Sequence, residues 1–385
     1  MEFQFLLPTK IVMEPGLRDR TGEHLRDLGL KAVLIVTDAG VKAAGLLNSV
    51  YASLEKSGIA FEEISDVKPN PRSEDINHAA EIYRGKGIDG LLAIGGGSAM
   101  DAAKAISVLL THEGRVEDYE GASKLTHGVL PIVAIPTTSG TGSEVTFFSV
   151  ITDTARHFKM SILDYRIGPV LALLDSHITA TLPPSIAAAT GMDALTHAIE
   201  AYTGRLSNPI SDGLALHAIR LISKFLKPAV QEPDNLEARE QMLVASLIAG
   251  MAFGNGDIAS VHCISEAIGG MYDTPHGVGN AIFLPFVFGH NRDADIPRHA
   301  QVAYALGIDP TLSPVDAAEA AVDYLFQMSK DLGIPRFAEV KGVREEDFQA
   351  IAEKSKANIS DSSNAKEMTV ESYRRIVAAA YNFEY

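Results

Sequence analysis

The sequence predicts an α/β domain built on a mostly parallel sheet, residues 1–182, followed by an all-helical domain, residues 183–385. Three observations carry this reading. From Lys31 to about Asp175, apolar runs of strand length alternate with helical segments, the pattern of a sheet covered on both faces. In T-L-P-P, Pro183 and Pro184 mark a helix start. Beyond them, long stretches rich in Ala, Leu and Ile dominate, and Q-E-P-D-N reads as a helix connector rather than a domain linker.

In chain order, residues 1–15 are expected to form an edge strand or hairpin. K-A-V-L-I-V-T-D is a buried strand ending in Asp38, where a nucleotide-binding sheet places a carboxylate to accept hydrogen bonds from adenosine ribose hydroxyls. In that role Asp38 favours NAD(H) over NADP(H), whose 2′-phosphate it would repel. I-D-G-L-L-A-I-G-G-G-S-A-M-D-A-A-K-A-I reads as strand, triple-Gly turn and helix. Gly95, Gly96 and Gly97 permit close approach of a pyrophosphate and positive φ, and the helix starting near Ser98 offers unpaired N–H groups. No Walker lysine follows and G-x-G-x-x-G is absent. Ser98 and Asp101 also fit a capping box, S-x-x-D, which is compatible with the anion role. V-L-P-I-V-A-I-P-T-T-S-G-T-G-S-E-V-T is a strand entering a loop suited to phosphate, ribose or carboxamide contacts, or simply a flexible turn. V-T-F-F-S-V-I-T-D and V-L-A-L-L-D add further strands.

The helical half carries G-M-D-A-L-T-H-A-I-E-A, in which Asp193 and His197 stand four apart on one helix face. In a chain with 12 His such a pair arises by chance on the order of once, and a helix salt bridge would explain it. The block V-H-C-I-S-E-A-I-G-G-M-Y-D-T-P-H-G-V-G-N-A changes the balance. It supplies His262 from a helix and His276 from a P-H-G loop, so that Asp193, His197, His262 and His276 together offer a cage for one divalent metal.

G-G-G-S-A-M-D-A-A-K, P-T-T-S-G-T-G-S-E, G-M-D-A-L-T-H-A-I-E-A and T-P-H-G-V-G-N-A, in this order, resemble the iron-containing (group III) alcohol dehydrogenases over essentially the whole chain. The resemblance implies a Rossmann-like N-terminal dinucleotide domain and an all-α C-terminal metal and substrate domain, the dehydroquinate synthase-like architecture. It implies that Asp193, His197, His262 and His276 are the metal ligands, and that Asp38, Asn70, Gly97, Ser98, Thr137, Thr138, Thr141 and Lys159 contact the cofactor, Lys159 following the I-T-D strand end. Gly96 and Asp101 join them from the Gly-rich turn. Many relatives carry a second His four residues after the one matched by His262, and here that position is Glu266. An acidic group there would disfavour anionic substrates and favour neutral ones.

The implied activity is hydride transfer between nicotinamide and a short alcohol, diol or aldehyde, with the metal as Lewis acid. Fe²⁺ rests on the family, since Zn²⁺ competes well for such a ligand set. The alternatives are a zinc-dependent polyol dehydrogenase, against which the D-x-x-x-H pair and the P-T-T-S-G-T-G-S-E loop argue, and a catalytically silent nucleotide-binding protein, which would not need four ligands.

Composition agrees. A net charge of −16 and a pI near 5.2 argue against a nucleic-acid partner. The apolar runs fall short of a membrane span and M-E-F-Q-F lacks a signal-type basic start, so a cytoplasmic protein is expected, in this family a homo-oligomer. Cys263 is the only cysteine and reads as packing. Phe147, Met251 and Phe253 read as ordinary core.

Overall fold

The computed structural model describes residues 2–385. The chain forms two compact units, one comprising Leu7–Thr138 and Gly142–Leu182, the other residues up to Leu6, Ser139–Thr141 and Pro183–Tyr385.

The first unit holds strands β1 (Lys10–Met13), β2 (Ala32–Val36), β3 (Ala60–Ile64), β4 (Gly90–Gly95), β5 (Gly121–Ala122), β6 (Ile132–Pro136), β7 (Phe148–Asp153), β8 (Phe158–Leu163) and β9 (Leu171–Leu174). Its helices are α1 (Thr21–Asp27), α2 (Ala39–Ala43), α3 (Asn48–Ser57), α4 (Ser73–Tyr83), α5 (Gly97–Thr111) and α6 (Ser176–Thr179). Six strands form a parallel sheet in the order β1-β9-β6-β4-β2-β3. Because side chains alternate along a strand, Leu34, Val36, Leu91, Ala93, Ile132 and Ala134 enter one core with α4 and α5. Val33, Ile35, Leu92, Ile94, Val133 and Ile135 enter another with α1 and α3. Each buried Leu or Ile contributes about 1.5–3 kcal/mol relative to exposure, and both faces are filled.

The sheet departs from the sequence reading in two respects, the first being that β3 takes its edge from a segment not read as a strand. Second, V-T-F-F-S-V-I-T-D supplies β7, which pairs antiparallel with β8 in a separate three-stranded sheet, β5-β8-β7. Lys159 therefore lies inside a strand, opposite Thr152, rather than in a loop after a strand end. Residues 10–13 of the N-terminal segment take the edge of the main sheet as β1.

The second unit is helical: α7 (Pro184–Thr203), α8 (Pro209–Gln231), α9 (Leu236–Gly256), α10 (Ser260–Tyr272), α11 (His276–Asn291), α12 (Ile296–Leu306), α13 (Pro314–Asp331), α14 (Phe348–Lys356) and α15 (Val370–Tyr381). Pro183 is the N-cap of α7 and Pro184 its first residue, where a missing N–H costs nothing. Gly191 lets α8 approach α7, since a β-carbon there would lie 2.2 Å from Leu226 Cδ1. Among the described residues no single helix is long and apolar enough to cross a membrane. One consecutive pair, α9 and α10, is long and apolar enough only when taken together, and it is bent by 100°.

Candidate functional site

Glycines decide how the metal-type residues meet. Asp193 and His197 lie on α7, buried at 1 % and 4 % exposure. His262 lies on α10, 1 % exposed. His276 is the first residue of α11, with Pro275 as N-cap, so the expected P-H-G loop is a helix start. A β-carbon at Gly277 would lie 2.7 Å from the Ala189 carbonyl oxygen, and one at Gly279 would lie 2.4 Å from Ser265 Oγ. G-V-G thus lets α11 close against both α7 and α10, carrying His276 toward the other three.

One nitrogen or oxygen from each of Asp193, His197, His262 and His276 falls within 4.8 Å of the others. His262 Nε2 is 4.0 Å and His276 Nε2 3.7 Å from Asp193 Oδ1. Phe253 stacks on the His197 ring, so this core residue also borders the cluster. Burial pushes His197 down to about 4. Burial would raise the Asp193 carboxyl, but the imidazoles of His197, His276 and His262 hold it below its usual range. Asp193 thus offers a carboxylate and His197 a nitrogen lone pair, while the Glu200 carboxylate raises His262 against its burial; the donor types of the four groups together could hold a divalent ion.

Two residues that sequence reasoning missed complete the cluster. Asn280 Nδ2 donates to Asp193 Oδ1 at 2.6 Å and lies 2.9 Å from His262 Nε2 and 3.2 Å from His276 Nε2. The lone pairs of the cluster therefore already converge on partial positive charge. Glu200 accepts from His262 Nδ1 at 2.5 Å. Glu200 falls seven residues after Asp193 and Asn280 four after His276, spacings that share a helix face.

Glu266, one turn after His262 on α10, is 7 % exposed, and its Oε2 accepts from Asn358 Nδ2 at 2.6 Å. Its charge adds to those of Glu200 and Asp193 in raising His262 against the effect of burial. Cys263 is fully buried and burial lifts its thiol well above the usual range, so it packs and does not react.

The nucleotide-type residues gather in the other unit at the carboxyl ends of three adjacent strands, where α/β sheets bind ligands at a change of strand order. The order changes between β2 and β4. Asp38 follows β2, Gly95–Ser98 end β4 and open α5, and Thr137 and Thr138 follow β6. Asp38 caps α2, Oδ1 accepting from Val41 N at 3.0 Å. None of Gly95, Gly96 and Gly97 uses the positive φ that glycine permits. Space explains the first two: a β-carbon at Gly95 would lie 2.6 Å from the Ala99 β-carbon and 3.4 Å from Asp38 Oδ2, and one at Gly96 3.2 Å from Thr138 Oγ1.

The expected Ser98–Asp101 capping box does not form. Gly96 is the N-cap of α5, without a side-chain bond. Asp101 instead accepts from Ser143 Oγ at 3.0 Å and Val150 N at 3.2 Å. Beside it, the fully buried Lys104 donates to Ser143 Oγ and the Phe148 carbonyl at 2.7 and 2.8 Å. These bonds tie the chain after β6 to α5. Asn70 adopts φ 54° in a turn pinned by Thr152 N donating to the Pro71 carbonyl, and Thr152 pairs with Lys159. Thr141 belongs to Ser139–Thr141, which clusters with the helical unit because Gly140 lies close against Thr190 of α7.

Comparison with known proteins gives a consistent result. The family model "Iron-containing alcohol dehydrogenase" matches residues 8–176, and "Fe-containing alcohol dehydrogenase family, C-terminal" matches 187–381. The chain is 37 % identical to the NAD-dependent methanol dehydrogenase of Bacillus methanolicus, covering 98 % of this chain and 99 % of that one. It is 40 % identical to the 1,3-propanediol dehydrogenase of Citrobacter freundii, covering 91 % and 92 %. A crystal structure of a 1,3-propanediol oxidoreductase superposes with a TM-score of 0.95 at 38 % identity, covering 99 % of this chain and 100 % of that one.

Proposed function

Because the chain belongs to the iron-containing alcohol dehydrogenase family, its chemistry is metal-dependent, NAD(H)-linked hydride transfer at the CH–OH group of small alcohols, and we propose that Asp193, His197, His262 and His276 hold the Fe²⁺. The observation that carries the assignment is the convergence of one donor atom from each within 4.8 Å. The donor set fits: three imidazoles and a carboxylate suit Fe²⁺ and also Zn²⁺. Asn280 Nδ2 among the same atoms marks where positive charge is favoured.

When bound, the metal supplies Lewis acidity toward an alcohol or carbonyl oxygen, and NAD(H) accepts or delivers the hydride. The protein's part is electrostatic and positional. Burial keeps His197 neutral at physiological pH, and its neighbours keep Asp193 ionised, so neither loses its donor role to a proton. His276, with 29 % of its side chain exposed, is the most accessible of the four, and small substrates approach from its side.

The proposal assigns NAD(H) contacts to Asp38, Asn70, Gly96, Gly97, Ser98, Thr137, Thr138, Thr141 and Lys159. It is supported by the meeting of Asp38, the Gly-rich turn and Thr138 at the strand ends. Asp101 acts from behind this surface by fixing Ser143 and Val150. Glu266 adds buried negative charge one turn from His262, and this favours neutral short alcohols, diols and aldehydes over carboxylated ones. A cytoplasmic homo-oligomer completes the reading. Its support is the unpaired, buried Cys263, suited to a reducing compartment, and the exposed Phe3 and Leu7 before β1, apolar surface that a second copy would cover.

The test is Asp193→Asn and His276→Ala, purified anaerobically. Loss of bound metal together with aldehyde reduction, with NADH binding retained, is expected. Retention of both metal and turnover in either variant contradicts the assignment.

A further inference from the structure

Glu200 is a buried carboxylate that none of the roles above uses. It is 4 % exposed and sits on α7, on the face that carries Asp193 and His197. Its two oxygens accept three hydrogen bonds, all from one short stretch of chain. Oε2 takes His262 Nδ1 at 2.5 Å and Ala259 N at 2.8 Å, and Oε1 takes Val261 N at 2.7 Å. Ala259 is the N-cap of α10 and Val261 lies in its first turn, so these N–H groups have no partner within the helix. A negative charge at a helix N-terminus is also favoured by the helix dipole.

We propose that Glu200 is the positioning residue for His262, fixing which nitrogen of that ring faces the metal cluster and at what angle. With Nδ1–H donated to a carboxylate, the Nε2 lone pair is left to face Asp193 Oδ1, 4.0 Å away. The two backbone bonds hold the start of α10 against α7 through the same carboxylate, so the ring and the helix that carries it are located by one group. A carboxylate behind a ligating imidazole also makes the nitrogen on its far side a stronger donor. The inference rests on the reading of Asp193, His197, His262 and His276 as one metal site.

Glu200→Gln distinguishes positioning from simple support of the helix end. A carboxamide accepts at one atom only, so either Val261 N–H or the pair His262 Nδ1–H and Ala259 N–H then faces a donor. Tyr373→Phe is the matched control. Its hydroxyl bonds Ser260, Asp361 and the Cys263 thiol at the same end of α10 and makes no hydrogen bond to Glu200 or to the His262 ring, so its loss loosens the region generically.

Metal-free wild type, Glu200→Gln, Glu200→Asp and Tyr373→Phe are titrated with Zn²⁺ against a competing chelator under conditions where circular dichroism shows each to be folded. The expected result is a roughly 10–100-fold weaker Zn²⁺ affinity for Glu200→Gln, a smaller loss for Glu200→Asp, and a change under about threefold for Tyr373→Phe. Should Glu200→Gln leave too little folded protein, a loss in Glu200→Asp well beyond that of Tyr373→Phe carries the same weight. Wild-type affinity in the Glu200 variants, or an equal loss in Tyr373→Phe, overturns the proposal while the metal site stands. Failure of wild type to bind one equivalent overturns both.

Discussion

The Phe253 ring of α9 lies flat on the His197 imidazole of α7, with centroids 4.1 Å apart and planes 13° from parallel. Phe253 is 8 % exposed, so its removal opens a cavity beside a proposed ligand. Phe253→Ala is expected to cost about 3–5 kcal/mol in urea unfolding. It also lowers metal affinity, because His197 loses the surface that stops its ring from turning. Phe253→Leu keeps most of the volume and should lose less on both counts. A cost below about 1 kcal/mol for Phe253→Ala would show that the stack carries little.

Space, not backbone conformation, is the reason for Gly95 and Gly96 where β4 ends. Gly95→Ala would put a β-carbon 2.6 Å from that of Ala99. Overpacking of this kind costs about 1–3 kcal/mol, and it displaces the start of α5, so NADH binding should weaken with it. Gly128→Ala has nothing within 4 Å and serves as the neutral control. Equal behaviour of the two variants in denaturation and NADH titration would refute the spatial account.

How much of this was legible in the sequence follows from how local each signal is. β2, β4 and β6 are apolar runs, and Asp193 and His197 share a face by spacing alone. β3, A-F-E-E-I, is an edge strand with two glutamates and little alternation, so its sequence carries no strand signal. The antiparallel pairing of β7 with β8 is a tertiary fact, and so is the burial of Lys159 at 7 % exposure. The start of α11 reads as a loop because Pro and Gly flank His276. Gly277 is tolerated in the helix because the Ala189 carbonyl leaves no room for a side chain. Glu200 looks like any surface carboxylate until chain some sixty residues later brings its N–H groups to it.

Glu144 should make stability depend on pH. It is 1 % exposed, Oε1 has no hydrogen-bond partner, and burial raises its carboxyl to about 7, with Lys104 pulling the other way. A folded pKa above the unfolded one means that the folded state holds the proton more tightly between about 4.5 and about 7. Its contribution is therefore full below that window and is lost as pH rises through it. Glu144→Gln removes the dependence, so its stability relative to wild type should improve from pH 4.5 to pH 8 by ~2–3 kcal/mol. Urea curves at several pH values that stay parallel for the two proteins would count against a raised Glu144.

Glu266→His tests the electrostatic basis of substrate choice. Removing the carboxylate should raise turnover of carboxylated aldehydes relative to neutral ones of the same length, several-fold at low ionic strength and less in high salt. The ratio of kcat/KM values on matched pairs is the readout. An unchanged ratio would mean that Glu266, held by Asn358, does not reach the substrate with its charge.

The most direct test of the central claim is NADH oxidation by protein purified anaerobically, stripped of metal and restored with Fe²⁺ or Zn²⁺, against short neutral and carboxylated aldehydes. The account predicts no activity in the stripped protein, recovery with one equivalent of metal, and a preference for neutral aldehydes. Full activity in metal-free protein, or recovery of Asp193→Asn by the same equivalent of metal, would contradict it.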